Sequence, residues 1–483
     1  MEETALNAEN PPAWRMYLAY TTVALMPLSF NIEKHLAGSK SPVYISPLDF
    51  LLPVLFLLLL MDLARKRPWA AFKIPPIPGV IWAALAFISI VWSAGFPERD
   101  VIKNGAKAAL NPLQYGLIGV WVFQNLSARA SEYRKLTLIF GASFCICLLL
   151  ALKQYVGPQG APYDPSNAAA DLGGVTHVRL GGWYDYRGVL GAQIAMIVPA
   201  AVAFALMERD IALRIAACGV ALVGLCVTLA GGGFIGACAG TLAVAGAFGV
   251  WRRNWIPSVI VFAGLAVLTV VVLPRLPRHN PEVLFRNIAL FAKDATDKSP
   301  DPPPKPTARL RRYQAALDLL GSSDPWKPGS APYWQKGAGS GQYQKSIDTF
   351  YQNPYPKPGR RGDEEVAYDM EADERFSWGF LETSSVELGI PGLLAITLLF
   401  ATWIGGASGA FANLSSGRSP LVVEAEVKSM LALAAFGAGT GAVVMSIFLT
   451  PMIRGVGGSF AFFFALALCS AAWAAEPARM TEK

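Results

Sequence analysis

Runs of about twenty consecutive apolar residues constrain this chain more than any other feature, because a run of that length crosses the bilayer hydrocarbon as one helix. Such a helix satisfies all its backbone groups internally, which an open sheet or an irregular loop in lipid cannot do. The runs fall at roughly residues 14–32, 46–64, 77–95, 106–124, 136–156, 188–207, 211–230, 233–250, 256–274, 386–405, 428–450 and 455–475. Pro and Gly inside several of them are tolerable, since neighbouring helices re-satisfy the freed backbone groups. The expected fold is therefore all-α and polytopic, with about twelve transmembrane helices. Composition agrees: only 16% of the 483 residues are charged, against about 25% in soluble domains. A secreted enzyme, a nucleic-acid module and a coiled coil are excluded.

A net charge of +7 invites a nucleic-acid partner, but the basic residues sit where topology demands them. Arg65, Lys66, Arg67 and Lys73 follow the second run, and Arg129, Arg134 and Lys135 the fourth. Arg209 and Arg214 follow the sixth, Arg252 and Arg253 the eighth, and Arg418 and Lys428 the tenth. These loops share one side, and the positive-inside rule makes it cytoplasmic, with both termini. The acidic N-terminus, MEETALNAENPPAW, lacks the basic-then-apolar order of a cleaved signal peptide. Cys145, Cys147, Cys218, Cys226, Cys238 and Cys469 all lie inside apolar runs, where Cys packs as a small hydrophobe. His35, His177 and His279 are scattered and make a poor metal site.

One segment differs in kind. Residues 275–385 carry 16 Lys or Arg and 15 Asp or Glu, a density typical of soluble protein. The chain thus divides into residues 1–274 with nine spans, an extracytoplasmic helical loop domain at 275–385, and residues 386–483 with three spans. Within the loop domain, EVLFRNIALFAKDA reads as an amphipathic helix through Val283, Leu284, Ile288 and Phe291. TDKSPDPPPKP is a stiff linker. ARLRRYQAALDLLGSS reads as a second amphipathic helix, its apolar stripe running through Leu310, Tyr313, Ala316, Leu317 and Leu320.

Arginines on the outer side run against the topology rule and need another reason. Arg179 and Arg187 stand in THVRLGGWYDYRGVLG, and Arg309, Arg311 and Arg312 open the second amphipathic helix. Guanidinium groups hold phosphate oxygens bidentately, so this set suits a lipid-linked phosphate or pyrophosphate. A solvated helix face in contact with headgroups accounts for it equally. Asp373, Glu374 and Glu382 lie near the outer membrane face, and Glu387 is expected to begin the tenth helix. A partly desolvated carboxylate there can act as a general base; acids at helix starts are also favoured by the macrodipole alone.

These segments resemble the O-antigen ligase and O-antigen polymerase superfamily. FLETSSVELGIPGLLAITLLF is similar to that family's tenth-helix opening, an acid-x-Gly-(Ile/Leu)-x-Gly run filled by Glu387, Gly389, Ile390 and Gly392. ARLRRYQAALDLLGSSDPWKPGSAPYWQKGAGSGQY is similar to its Arg-bearing helix and Gly-x-Gly-x-Gly-x-(Phe/Tyr) loop, through Arg309, Tyr313, Ala316, Leu317, Gly337, Gly339, Gly341 and Tyr343. YRGVLGAQIAMIVPAAVAFAL resembles its Arg-x-x-Gly start of the sixth span, though Arg187 and Gly188 are adjacent here. YISPLDFLLPVLFLLLL resembles the second helix, with Asp49 near its start.

The resemblance implies an inverting glycosyltransferase of the bacterial inner membrane that needs no metal or other cofactor. Its donor is a glycan on undecaprenyl diphosphate, and the large loop is periplasmic. Carried onto this chain, Arg187 and Arg309 hold the pyrophosphate, supported by Arg179 and Arg312. Glu382 is the base, with Asp373 and Glu374 behind it. Tyr184, Trp334 and Trp378 are sugar platforms, a role that competes with that of membrane-interface aromatics. One departure matters. Ligases of the family place a His-Asn pair about nine residues before the tenth-helix acid; here that position is Trp378, and no His follows His279. Polymerases vary more at this point, so the expectation is a polymerase joining oligosaccharide repeat units into O-antigen, capsule or exopolysaccharide. Its partners are the lipid-linked donor and acceptor, the bilayer, a chain-length regulator and a flippase, with no nucleic acid. A ligase acting on a lipid or protein acceptor is the alternative within the class. A lipid-linked sugar flippase or transporter is the alternative outside it, but that activity calls for mid-membrane charges lining a path, and the spans hold almost none.

Overall fold

In a computed structural model of the chain, the described residues are 12–28, 32–34, 43–45, 47–64, 130–156, 187–228, 231–275, 316–322, 332–339, 379–416, 422–447 and 457–475. Apolar sequence becomes helix almost throughout. The elements are α1 (Ala13–Leu25), a hairpin of β1 (Ile32–Lys34) and β2 (Val43–Ile45), α2 (Pro47–Ala64), α3 (Ala130–Val156), α4 (Arg187–Met207) and α5 (Ile211–Val227). They continue with α6 (Gly231–Arg252), α7 (Trp255–Val267), a short α8 (Tyr333–Lys336), α9 (Phe380–Ser416), α10 (Val422–Ser446) and α11 (Gly457–Ala475). α7 is prolonged by a π turn over Leu268–Val272 and a 3₁₀ turn over Leu273–Arg275. Among the described residues six helices are long and apolar enough to cross a bilayer, and Ile211–Val227 and Gly458–Ala471 are shorter apolar helices. This is the architecture of a helical, multi-pass membrane protein. The runs expected at 77–95 and 106–124 lie outside the described residues.

The bundle closes on a seam between α4, α6 and α10 in which backbones meet directly. A Cβ on Gly233 would fall 2.5 Å from the Gly191 backbone, and one on Gly236 would fall 2.8 Å from the Gly441 carbonyl and 3.0 Å from Ala195. A Cβ on Gly240 would strike Pro199 and the Gly437 carbonyl. Contacts that climb together along α4 and α6, and in the opposite sense along α10, make α4 and α6 parallel and α10 antiparallel. Lipid gives helices no hydrophobic reason to associate, so close packing through small residues supplies the attraction. Around the seam, Trp403 of α9 is fully buried, donates its indole N–H to the Ala435 carbonyl at 2.8 Å, and packs edge-on to Phe460 of α11 at 4.9 Å. Phe140 of α3 stacks on Phe462 at 5.0 Å. α1 runs parallel to α3: Tyr20 donates to Glu132 at 2.6 Å near the start of α3, and Cys147 to the Pro27 carbonyl at 3.1 Å further along it.

The two ends of the bundle are built differently. At one end, Arg134 at the start of α3 meets Glu208 just past α4, Arg209 meets Glu426 of α10, and Lys428 meets Glu424. Asp210 caps α5 there, accepting from the N–H groups of Ala212 and Leu213. At the other end stand the N-termini of α4, α6, α9 and α11.

Three expectations change. α9 begins at Phe380 and ends at Ser416, well outside the expected 386–405, so Glu387 does not begin it. α3 begins at Ala130, which places Arg134 and Lys135 in a helix instead of a loop. Cys147 and Cys469 are buried as expected of small hydrophobes, but Cys218 is exposed on α5 beside the outward Ile211, Ile215 and Leu222.

Candidate functional site

The sequence VELGIPG determines where α9 must fail as a helix. In an unbroken helix the Glu387 carbonyl accepts from the N–H of residue 391, and that residue is Pro, which has none. Gly389 leaves helical geometry altogether at φ 68°, ψ −166°, a region open chiefly to glycine. Two carbonyls are therefore released within a largely buried stretch, and each needs a donor. The segment between α7 and α9 provides both. The N–H of Ala338 donates to the Val386 carbonyl at 2.8 Å, and the N–H of Gly339 donates to the Glu387 carbonyl at 2.9 Å.

Those donors sit on a turn that is itself glycine-dependent. α8 ends at Gly337, φ 72°, whose N–H returns to the Tyr333 carbonyl at 2.7 Å. A Cβ on Gly337 would strike the Glu387 carbonyl, and one on Gly389 would lie 2.7 Å from the Trp334 carbonyl. The turn is tied in turn to a helical stretch at 316–321: Tyr333 donates to the Ser322 carbonyl at 2.9 Å, and Ser322 to the Leu319 carbonyl at 3.0 Å. Ala316, Leu319, Tyr333, Ala338 and Val386 close a small apolar cluster over the junction.

Two carboxylates stand in α9 beside this clasp. Glu382, in the first turn, is 6% exposed, and Glu387, at the break, is 8% exposed. Spacing of i and i+4 puts Glu382 on the same helix face as Val386, the side on which the clasp sits. Thr383 and Ser384 are also buried, and the Thr383 hydroxyl donates to the Gly379 carbonyl at 2.9 Å. Gly379 in turn abuts the Ile447 carbonyl past the end of α10, so the start of α9 is fixed on the bundle.

Of the residues singled out in the sequence, the structure places Glu382, Arg187 and Trp334. Arg187 is the first residue of α4, at the same end of the bundle as Glu382. Trp334 lies in α8 and is 44% exposed, with its carbonyl against Gly389. Asp373, Glu374, Arg179, Arg309, Arg312, Tyr184 and Trp378 lie outside the described residues, as do His35, His177 and His279. The apolar stripe of the second amphipathic helix needs correction: Ala316 and Leu319 are buried, whereas Leu317 is 67% exposed. Burial also singles out polar residues that a search for mid-span charges passes over. Gln193 in α4 is fully buried with neither amide atom hydrogen-bonded, and the Thr241 and Ser384 hydroxyls are buried without a hydrogen bond. Gln193 was visible as a lone amide in GAQIAMIVP. No protein-family model matches the chain, and no curated protein matches it.

Proposed function

We propose that this chain is a polysaccharide polymerase of the bacterial inner membrane, joining oligosaccharide repeat units carried on undecaprenyl diphosphate at the periplasmic face. The observation that supports this reading best is the clasp. Two segments that separately resemble the O-antigen polymerase and ligase superfamily, the Gly-x-Gly loop and the Glu387-x-Gly389 helix, bind each other through their backbones beside two buried carboxylates.

In the proposed reaction a sugar hydroxyl of the acceptor attacks the anomeric carbon of the donor glycan. The new glycosidic C–O bond forms as the bond from that carbon to the diphosphate oxygen breaks, with inversion. Undecaprenyl diphosphate leaves with the electron pair, and the hydroxyl proton passes to the base. Glu382 is that base, with Asp373 and Glu374 as secondary candidates. Arg187 and Arg309, supported by Arg179 and Arg312, neutralise the charge that grows on the leaving diphosphate, an interaction strongest in the transition state. Tyr184, Trp334 and Trp378 give sugar rings a flat surface. In this topology the ion-paired end of the bundle is cytoplasmic with both termini, and the bundle has twelve spans.

The test uses purified protein and one undecaprenyl diphosphate-linked repeat unit, with no other acceptor. A ladder of products is expected. Product formed only after a lipid or protein acceptor is added would make the chain a ligase, and no glycosyl transfer under either condition would overturn the reading.

A further inference from the structure

At the ion-paired end of the bundle, α6 and α7 form a helical hairpin joined by only two residues, Arg253 and Asn254. The hairpin is tightly closed. The Ser258 hydroxyl donates to the Ala245 carbonyl at 2.7 Å, and the Trp255 ring lies over Gly249, where a Cβ would come within 2.6 Å of it. Arg253 takes the left-handed position that ends α6, at φ 53°, and among the described residues it is the one non-glycine at positive φ. Glycine is the ordinary residue at such a helix end, because a Cβ strains the backbone there. Arginine accepts that strain and adds a cation beside that of Arg252.

These two cations differ from the others at their end. Arg134, Arg209 and Lys428 each meet a carboxylate, and Arg214 donates to the Ala205 carbonyl. Among the described residues neither Arg252 nor Arg253 has an ion pair or a side-chain hydrogen bond, and the Nε of Arg252 is buried without an acceptor. A buried donor left unpaired is costly, so an acceptor is to be expected there. Asn254 precedes α7 without a side-chain capping bond, and the first N–H groups of a helix have no intrahelical acceptor. Two guanidinium groups and a helix start within one short turn together call for an anion with several oxygens, and guanidinium matches phosphate in both charge and geometry.

The surroundings of the turn decide where that phosphate comes from. Trp251 and Trp255 flank the arginines and are both partly exposed, as amphipathic rings are at headgroup level. Beyond them α7 presents Ile256, Val259, Ile260 and Val267, each more than half exposed. A soluble anion would fill the turn and leave that apolar face bare, whereas a lipid covers both. We propose that the α6–α7 turn is a binding site for an anionic phospholipid, with Arg252 and Arg253 on the headgroup phosphate and the acyl chains along the exposed face of α7. Paired cations favour a headgroup with net negative charge over a zwitterionic one, whose own cation they repel. The site stands apart from the polymerase reading and does not depend on it.

The experiment titrates the full-length protein in detergent with dioleoylphosphatidylglycerol or dioleoylphosphatidylcholine, which share acyl chains and differ in headgroup charge. Bound lipid is counted by native mass spectrometry, and the unfolding temperature is measured without added lipid. Phosphatidylglycerol is expected to bind about tenfold more tightly than phosphatidylcholine at one site, the scale of one charge-assisted contact. Arg252→Gln and Arg253→Gly should each abolish about tenfold of that preference. Arg253→Gly also removes the backbone strain, so its unfolding temperature without lipid should equal or exceed that of the wild type, which separates lost binding from lost folding. Arg275→Gln, an exposed arginine at the other end of the same helical segment, is the control and should keep the full preference. Equal binding of the two lipids by the wild type would overturn the proposal. So would an unchanged preference in Arg252→Gln and Arg253→Gly, or an equal loss in Arg275→Gln, which would reduce the effect to general charge. Complete displacement of the lipid by millimolar inorganic phosphate would make the occupant a soluble anion and overturn the lipid assignment. If Arg252→Gln and Arg253→Gly both fail to fold, the turn is a folding element and the proposal is overturned as well.

Discussion

The two ends of this bundle are held by different kinds of bond. At one end long side chains reach between elements, Arg134 to Glu208 at 2.9 Å and Arg209 to Glu426 at 2.5 Å, and Lys428 pairs with Glu424 along α10 at 3.2 Å. At the other, backbones touch: Gly337 against Glu387, Gly389 against Trp334, and, a few turns into the bundle, Gly441 against Ala195 and Gly236. An exposed side-chain bridge such as that of Arg209 tolerates drift, because the partner has rotamers to spare and water close by. Backbone contact through glycine tolerates none, because every added atom meets a carbonyl. The rigid end also carries the two buried carboxylates of α9. An end with no proposed chemistry can be held by side-chain ion pairs, while an end proposed to hold reacting groups benefits from an inflexible frame.

Substitutions can break or sharpen that contrast. After loss of the base itself, the largest effect is expected from the arginines assigned to the leaving diphosphate: Arg309→Ala and Arg187→Ala should each lower kcat by roughly 10²-fold in the repeat-unit ladder assay, with protein yield unchanged. Equal polymer from both variants would remove chemistry from the rigid end. Next comes Gly441→Ala, whose new Cβ strikes the Ala195 carbonyl in the three-helix seam. Overpacking of this kind should destabilise by about 1–3 kcal/mol, read as a lowered unfolding temperature in detergent. At the ion-paired end, Arg134→Ala strips a two-nitrogen contact from the largely buried Glu208. With Arg134 itself partly exposed, a loss of about 1–2 kcal/mol is expected, and catalysis should be untouched. Lys428→Ala should be the mildest, within about 0.5 kcal/mol, since its partner Glu424 is mostly exposed. If the order of the last three were reversed, the contrast between the ends would be wrong.

Much of the fold is legible in the sequence because a single physical demand, twenty apolar residues per crossing, writes itself locally. Helices stand at ten of the twelve expected positions and the other two lie outside the described residues, but α1 stops at Leu25, short of the expected 32, where the chain is already in β1 and departs from an all-α fold. What sequence reading missed has non-local causes. Gly389 and Pro391 are visible as helix breakers, but the N–H groups that donate to the freed carbonyls lie almost fifty residues earlier in the chain, so the sequence alone points to a helix that begins where α9 actually breaks. Helical spacing alone points to Leu317 as part of the buried stripe, whereas Leu319 is the residue buried, at 1% exposed against 67% for Leu317. Gln193 gives no charge signal in the sequence, and its burial is a property of the folded chain. Of the site, Glu382 and the two glycine motifs were picked out separately; that the motifs grip each other is a property of the folded chain.

The measurement that bears most directly on the account sets one carboxylate at each end against the other. Glu382→Gln and Glu424→Gln are compared with the wild type in the ladder assay from a single lipid-linked repeat unit. Both changes remove one negative charge and nearly preserve shape. Loss of a general base costs on the order of 10² to 10⁴-fold, so Glu382→Gln should lose the ladder while Glu424→Gln, exposed at the ion-paired end, should keep it. Full activity in Glu382→Gln, or an equal loss in Glu424→Gln, would contradict the assignment of the chemistry to the clasped end.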